Sequence, residues 1–346
     1  MAHTAKNLWP AFMERENFKR ALKEASSGKR FRTEVLKYAA RQEENIQATR
    51  ALLQSGQWRP GHYRNFYVHE PKKRLISAPC FRDRVVHHAI VQIIEPLFER
   101  RFISHSYACR KGKGTHAASQ RMTAMLREQD GQGYALKADI SRYFPSINHA
   151  VLLNAIGRVI GDRRMLALIG NLVTGGELEC GLPIGALTSQ LFANVYLDRL
   201  DHYVKDGLGV QYYVRYMDDF IILHRDKKEL WRLLGLIETF LAGELHLRLN
   251  PKTAVFSLCQ GVDFVGYRHW PQSKKPRRRN VQRAKKRFAG LTRLYHRGGV
   301  DQATVRSIVA SFVGYMRHCN GYRSLLSALE RLVLISPADA EFHSDD

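Results

Sequence analysis

Cysteine is scarce and dispersed in this chain. Its five residues, Cys80, Cys109, Cys180, Cys259 and Cys319, stand far apart, and no two form a C-x-x-C pair. That spacing offers neither a disulfide framework nor a zinc knuckle, so reduced thiols in a cytoplasmic protein are the expectation. The fifteen histidines are equally scattered; His87-His88 is the one adjacent pair, and no metal role is assigned to it. No run approaches the roughly 20 apolar residues that a membrane-spanning helix requires. The N-terminal Met1-Ala2-His3-Thr4-Ala5-Lys6 has no apolar signal core. A membrane partner is therefore not expected. Acids are in short supply too: 32 Asp and Glu face 55 Lys and Arg, for a net charge of +23. That excess points to a polyanionic partner, most often nucleic acid.

What is present is enough apolar sequence for a packed core, in a chain of 346 residues, long enough for more than one unit. The first sixty residues are basic and helical in pattern, with Val35, Leu36, Tyr38, Ala39, Ile46, Leu52 and Leu53 at near-helical spacing. Phe66-Tyr67-Val68 and Arg74-Leu75-Ile76-Ser77 read as a hairpin with basic residues at its turn. Residues 83–100 read as an amphipathic helix, and helices follow at 149–159 and 163–173. Leu182-Pro183-Ile184-Gly185 is a punctuated loop, after which Thr188 or Ser189 would cap a helix running to about Val204. Residues 227–245 are helical in pattern, and Val262 to Tyr267 is a short strand pair.

Against this basic background, a few acids interrupt apolar runs. Tyr134-Ala135-Leu136-Lys137-Ala138-Asp139-Ile140 reads as a central strand with Asp139 at its carboxyl end. Tyr212-Tyr213-Val214 and Phe220-Ile221-Ile222-Leu223 read as two strands joined by a tight turn that carries Asp218 and Asp219 at its tip. Adjacent acids at a hydrophobic hairpin tip repel one another and call for a cation. Two Mg2+ ions, with Mn2+ as a substitute, are the natural candidates, because Mg2+ takes oxygen ligands and shares its shell with substrate phosphates.

These residues give the chain a resemblance to reverse transcriptases, with motifs in family order from about residue 60 to 268. Asp139 with Phe144-Pro145-Ser146-Ile147 resembles the first catalytic motif, and Tyr216-Met217-Asp218-Asp219 the second. Phe264-Val265-Gly266-Tyr267 resembles the primer-grip segment, and Leu247 to Thr253 the motif between them. The segment Ile184-Gly185-Ala186-Leu187-Thr188-Ser189-Gln190 resembles the enzymes of diversity-generating retroelements. Glu70 to Ser77 and Tyr107-Ala108-Cys109-Arg110 with Lys113-Gly114-Thr115-His116 resemble the same group.

The resemblance implies an α+β, right-hand polymerase fold: fingers and palm built from an antiparallel sheet with helices, and a C-terminal helical thumb. It implies an N-terminal helical extension over 1–60, fingers and palm over 61–268, a basic thumb over 269–335, and a disordered acidic tail over 336–346. The implied activity is RNA-directed DNA synthesis, copying a retroelement template RNA into cDNA with errors at template adenines that diversify a target gene. The implied metal set is Asp139, Ile140, Asp218 and Asp219, with Lys252 as general acid for pyrophosphate. Arg74 would clasp the incoming dNTP triphosphate through its paired donors. Phe144 would bar the ribose 2′-hydroxyl, and Ile184 and Gln190 would line the nucleotide site. Ile184, standing where many reverse transcriptases carry glutamine, removes a side-chain hydrogen bond and so weakens shape discrimination.

The basic interval 274–287 follows the primer-grip motif directly and reads as a thumb helix along the template–primer backbone. Gly266, Tyr267, Arg277, Arg278, Arg279, Arg283, Lys285 and Lys286 are its candidate contacts. Expected partners are template RNA, the RNA–cDNA duplex, dNTPs and a small, basic, oligomeric accessory protein. Alternatives are a retron-like or phage-defence reverse transcriptase, an intron-type enzyme, for whose maturase extension the chain has little room, and a non-catalytic RNA-binding scaffold.

Overall fold

The computed structural model describes residues 4–69, 73–175 and 179–334. Four helices come first: α1 (Leu8–Met13), α2 (Arg15–Ser26), α3 (Thr33–Ala40) and α4 (Gln42–Gln54). The hairpin β1 (Arg64–Val68) and β2 (Arg74–Ala78) leads into α5 (Phe81–Glu99) and α6 (Thr115–Glu128). Then follow β3 (Tyr134–Asp139), the short α7 (Tyr143–Ser146), α8 (His149–Gly157), α9 (Arg163–Thr174) and α10 (Leu187–His202). The hairpin β4 (Tyr212–Tyr216) and β5 (Asp219–His224) precedes α11 (Lys227–Leu245) and β6 (Ala254–Ser257). Last come β7 (Val262–Phe264), β8 (Tyr267–His269), β9 (Lys274–Pro276), α12 (Arg278–His296), α13 (Gln302–Met316) and α14 (Tyr322–Leu329). The acidic tail read at 336–346 lies outside the described residues.

A four-stranded sheet has the order β4-β5-β3-β6, so the strand ending on Asp139 is an interior one. Separate sheets are the β1-β2 hairpin, antiparallel from Arg64↔Ala78 to Val68↔Arg74, and the three-stranded β7-β8-β9. The chain divides into two compact units. One holds Met1–Gly112, Ala138–Phe220 and Arg232–Thr253; the other holds Lys113–Lys137, Ile221–Trp231 and Ala254–Asp346.

The core of the first unit is α10. Its residues Leu191 to Leu197 are buried without a break, and an all-round buried helix needs neighbours on every side. It packs on α5 and α8, and α5 in turn packs on α2. α5 presents Val85, Val86, Ala89, Ile90 and Ile94, each wholly buried. Side-chain caps fix α8, where Asn148 accepts from Val151 N at 3.0 Å, and α9, where Asp162 accepts from Arg164 N and Met165 N at 3.0 and 3.1 Å.

The cap expected at α10 is different. Its N-cap is Ala186, and no side chain caps it. Thr188 lies inside the first turn, buried, with its hydroxyl 2.7 Å from His87 Nδ1. Burial pushes the His87 imidazole down to about 4, which leaves it neutral where it meets Thr188.

In the second unit, α12 buries Val281, Ala284, Phe288 and Leu291 along one helical stripe, and its basic residues take the remaining faces. Ala284, Phe288, Leu291 and Ala328 form a small core with Ile308, Val309 and Phe312 against it. The basic interval expected to be helical throughout starts instead as a strand. Lys274, Lys275 and Pro276 pair with His269, Arg268 and Tyr267, and the helix begins only after the proline.

Candidate active site

The β4–β5 connection is a two-residue turn, Met217-Asp218, with Met217 in the left-handed region at φ 56°. Positive φ suits tight hairpin turns, but in a residue with a side chain it costs about 1–3 kcal/mol and needs support from its surroundings. Support comes from both carbonyls of the turn. Arg215 Nη1 donates to the Met217 carbonyl at 2.9 Å, and the Ile140 amide donates to the Asp218 carbonyl at 3.2 Å. The second bond joins the turn directly to the residue after Asp139.

Asp139 is held from its other side by the segment after α11. The Asn250 amide donates to the Asp139 carbonyl at 2.7 Å, and Asn250 Nδ2 to Asp139 Oδ2 at 3.2 Å. Ser141 N reaches Arg248 O at 2.9 Å, and Ile140 bridges Leu249. Asn250 is an orienting residue that sequence reading passed over in favour of Lys252. Lys252 is exposed, and its amide donates to Asn250 Oδ1 at 3.1 Å.

Electrostatics mark the three acids as one cluster. The Asp218 carboxyl is pushed up to about 6, first by burial, then by the charges of Asp139 and Asp219, with Arg74 partly offsetting them. Like charges crowded this way are relieved by a bound cation. Among the described residues, no three His, Cys, Asp or Glu side chains are so placed that they could hold a metal ion between them. An all-carboxylate set that leaves coordination positions open suits a hard divalent ion completed by water and phosphate oxygens.

The influence of exposed Arg74 on Asp218 places its guanidinium within electrostatic reach of the acids. Phe144 is half-buried, edge-on to Tyr143 at 5.6 Å, and its carbonyl accepts from Leu182 N at 2.9 Å. The Ile184 carbonyl in turn accepts from Ser77 N of β2 at 2.8 Å. Gly185 permits this docking. With φ 128°, a Cβ there would lie 2.9 Å from Ser77 O and 3.0 Å from Ile76 Cγ2. Phe144, Ile184 and the strand bearing Arg74 are thus one connected wall. Gln190 is exposed on the first turn of α10.

Under the aspartate turn lies a charge network that the sequence did not single out. Arg215 is fully buried, with Nη2 2.5 Å and Nε 2.7 Å from the two oxygens of Asp201, also fully buried. Tyr213 Oη donates to Asp201 Oδ1 at 2.7 Å. Burial opposes the charge on Arg215, but Asp201 more than offsets this and holds the proton more tightly than usual. The available signal was period-2 alternation in β4, which points Tyr213 and Arg215 to the same face.

The second unit carries the remaining candidates. Tyr267 is buried, stacks on Tyr315 at 4.8 Å and donates to the Tyr315 carbonyl at 2.9 Å. Its ring therefore braces the sheet and does not face solvent. The Gly266 carbonyl accepts from Arg277 N at 3.1 Å and from Tyr315 Oη at 2.6 Å. Arg278, Arg279 and Lys286 are exposed on α12; Arg277, Arg283 and Lys285 are half-buried, and Lys285 Nζ lies 2.5 Å from Ser327 Oγ. Lys275, Arg278, Lys285, Tyr322 and Arg323 line a cleft of about 740 Å³.

The profile described as "Reverse transcriptase (RNA-dependent DNA polymerase)" matches residues 68–269, more than half of the chain. The chain belongs to that reverse transcriptase family, the RNA-directed DNA polymerases, whose domains use divalent metal ions. Protein YkfC of Escherichia coli is 26% identical over 268 residues, covering 64% of this chain and 70% of YkfC. The group II intron-encoded protein LtrA of Lactococcus lactis is 30% identical over 173 residues, 47% of this chain. This chain spans only 28% of LtrA's length. A telomerase structure from Candida albicans, solved with a telomeric RNA fragment, aligns with a TM-score of 0.49 at 12% identity, covering 68% of this chain and 51% of that one.

Proposed function

We propose that this chain copies a retroelement template RNA into cDNA at the Asp139, Asp218 and Asp219 cluster, with errors at template adenines that diversify a target gene. The observation that carries the catalytic part is the bond from Ile140 N to Asp218 O, which brings two acids far apart in sequence into one site. Asp139, Asp218, Asp219 and the Ile140 backbone would hold two Mg2+ ions, or Mn2+ in their place. Such ions supply charge stabilisation for phosphoryl transfer when bound.

The chain's own residues do the rest. Arg74 clasps the triphosphate with its paired donors. The Phe144 ring would clash with a ribose 2′-hydroxyl, which would select dNTPs. Lys252 donates a proton to the departing pyrophosphate, and Gln190 completes the nucleotide site. Asn250 holds the Asp139 carboxylate in one orientation. A small, basic accessory oligomer completes the assembly with the RNA–cDNA duplex.

Low fidelity is supported by Ile184, an aliphatic contact that distinguishes base shapes only weakly, by about 1–3 kcal/mol. Ile184→Gln should lower misincorporation opposite adenine several-fold, as read by sequencing cDNA made on an adenine-containing RNA. An unchanged error spectrum would count against Ile184. A second reading, an intron-type reverse transcriptase, is favoured by the likeness to LtrA. Wild-type cDNA without adenine bias would support that reading and remove the diversifying one.

Duplex and template binding is assigned to the basic face of α12. Affinity for an RNA–DNA duplex should fall steeply with salt. Reversing Arg278, Arg279 and Lys286 to glutamate should reduce the slope of log K against log salt by about 3. A flat response in the wild-type protein would dispose of the assignment.

A further inference from the structure

We infer that Arg215, locked by Asp201, is the positioning residue that sets the aspartate turn for catalysis; this rests on the reading of Asp218 as a metal-holding catalytic acid. Arg215 touches neither substrate nor ion. It acts through the Met217 carbonyl, which its Nη1 meets at 2.9 Å, one peptide away from Asp218. The other guanidinium nitrogens are committed to Asp201, at 2.5 and 2.7 Å. A fork anchored at two points cannot swing, so its third donor has a fixed place.

The anchor is itself built in. Tyr213 Oη occupies Asp201 Oδ1, and both Arg215 and Asp201 are fully buried, where no water competes for these bonds. The Arg215 backbone is fixed as well: its amide donates to His105 O at 2.9 Å and its carbonyl accepts from Tyr107 N at 3.0 Å. On the far side of the turn, Ile140 holds the Asp218 carbonyl. The strained Met217 is therefore clamped between a charged fork below and the Asp139 strand beside it. A buried guanidinium needs acceptors for all of its N–H groups, and the third nitrogen takes the Met217 carbonyl at 2.9 Å, with Asn194 Oδ1 at 3.4 Å. The shorter of these two bonds goes to the one residue of the turn whose left-handed backbone must be maintained.

The test separates positioning from folding. The double variant Arg215→Met with Asp201→Leu removes both buried charges together, an exchange that packed interiors tolerate. It should keep the wild-type melting temperature within a few degrees and bind template–primer with unchanged affinity. Its kcat for primer extension should nevertheless fall on the order of 10- to 100-fold, the cost of a small displacement of a reacting group. Binding of Mn2+, followed by electron paramagnetic resonance without nucleotide, should weaken about tenfold over the same change. Arg215→Lys keeps the charge but lacks the three-point fork, and should show the same loss of kcat if the double variant does not fold. Wild-type kcat and Mn2+ affinity in whichever variant folds would overturn the inference. Asp218→Asn, run alongside, guards the underlying reading: if it extends primers normally, the catalytic assignment fails, whatever Arg215 does.

Discussion

Asp218→Asn combined with Asp219→Asn should lower primer extension on an RNA template by at least about 10³-fold, which corresponds to about 4 kcal/mol of lost transition-state stabilisation. The amides keep the size of the acids and remove the charge. RNA affinity should be unchanged, because it is assigned to the basic surface of α12 and not to the turn. Stability should hold or rise. The Asp218 carboxyl is raised to about 6 by burial and by the neighbouring acids, so its charge is a burden on the fold without a cation. Activity, RNA binding and melting temperature together are diagnostic: a damaged fold loses all three, a lost catalytic pair only the first. Extension surviving in the double amide would remove the acids from the chemistry.

Asp201→Leu alone should destabilise the first unit by about 3–5 kcal/mol. It strands the Arg215 guanidinium, which has no solvent exposure, and takes the acceptor from Tyr213 Oη. The loss would appear as a lower denaturant midpoint with the slope preserved. Adding Arg215→Met should return most of it, because the penalty lies in the unpaired buried charge and not in the absent pair. A loss below about 1 kcal/mol for Asp201→Leu would mean that water reaches Arg215 after all.

Much of the site was legible because acids at the ends of apolar runs are conspicuous. Asp139 closes an apolar strand, and Asp218 and Asp219 interrupt another, so both pattern and chemistry drew attention to them. Asp201 and Arg215 escaped for the opposite reason. Asp201 is one of several charges on α10 and Arg215 a lone charge in β4 beside more conspicuous acids, and only their meeting across 14 residues makes them an interior pair. Asn250 was hidden beside a lysine of more obvious chemistry; its contribution is one side-chain bond whose partner is 111 positions away.

The helices at 149–159, 163–173 and 227–245 were readable from periodicity and were found within two residues of those bounds. Local rules failed where a distant partner competed for the same atoms. The Thr188 hydroxyl turned to His87 instead of capping α10, and the first residues of the basic interval paired with β8 before any helix began. Tyr267 was chosen for its motif, but burial against Tyr315 decides what its ring does.

Each unit is stitched together from three separated stretches of chain. The acids cannot be assembled as they emerge from the ribosome. Asp139 waits for the turn at Met217, and then for Asn250, before its backbone and carboxylate are both held. At about 5–20 residues per second, Thr253 follows Asp139 by on the order of ten seconds, and only then can the first unit close. Until α10 has appeared, the apolar face of α5 lacks one of its main partners. A chain built this way should fold late and slowly, through long-range contacts, and should depend on protection from aggregation while it is being made.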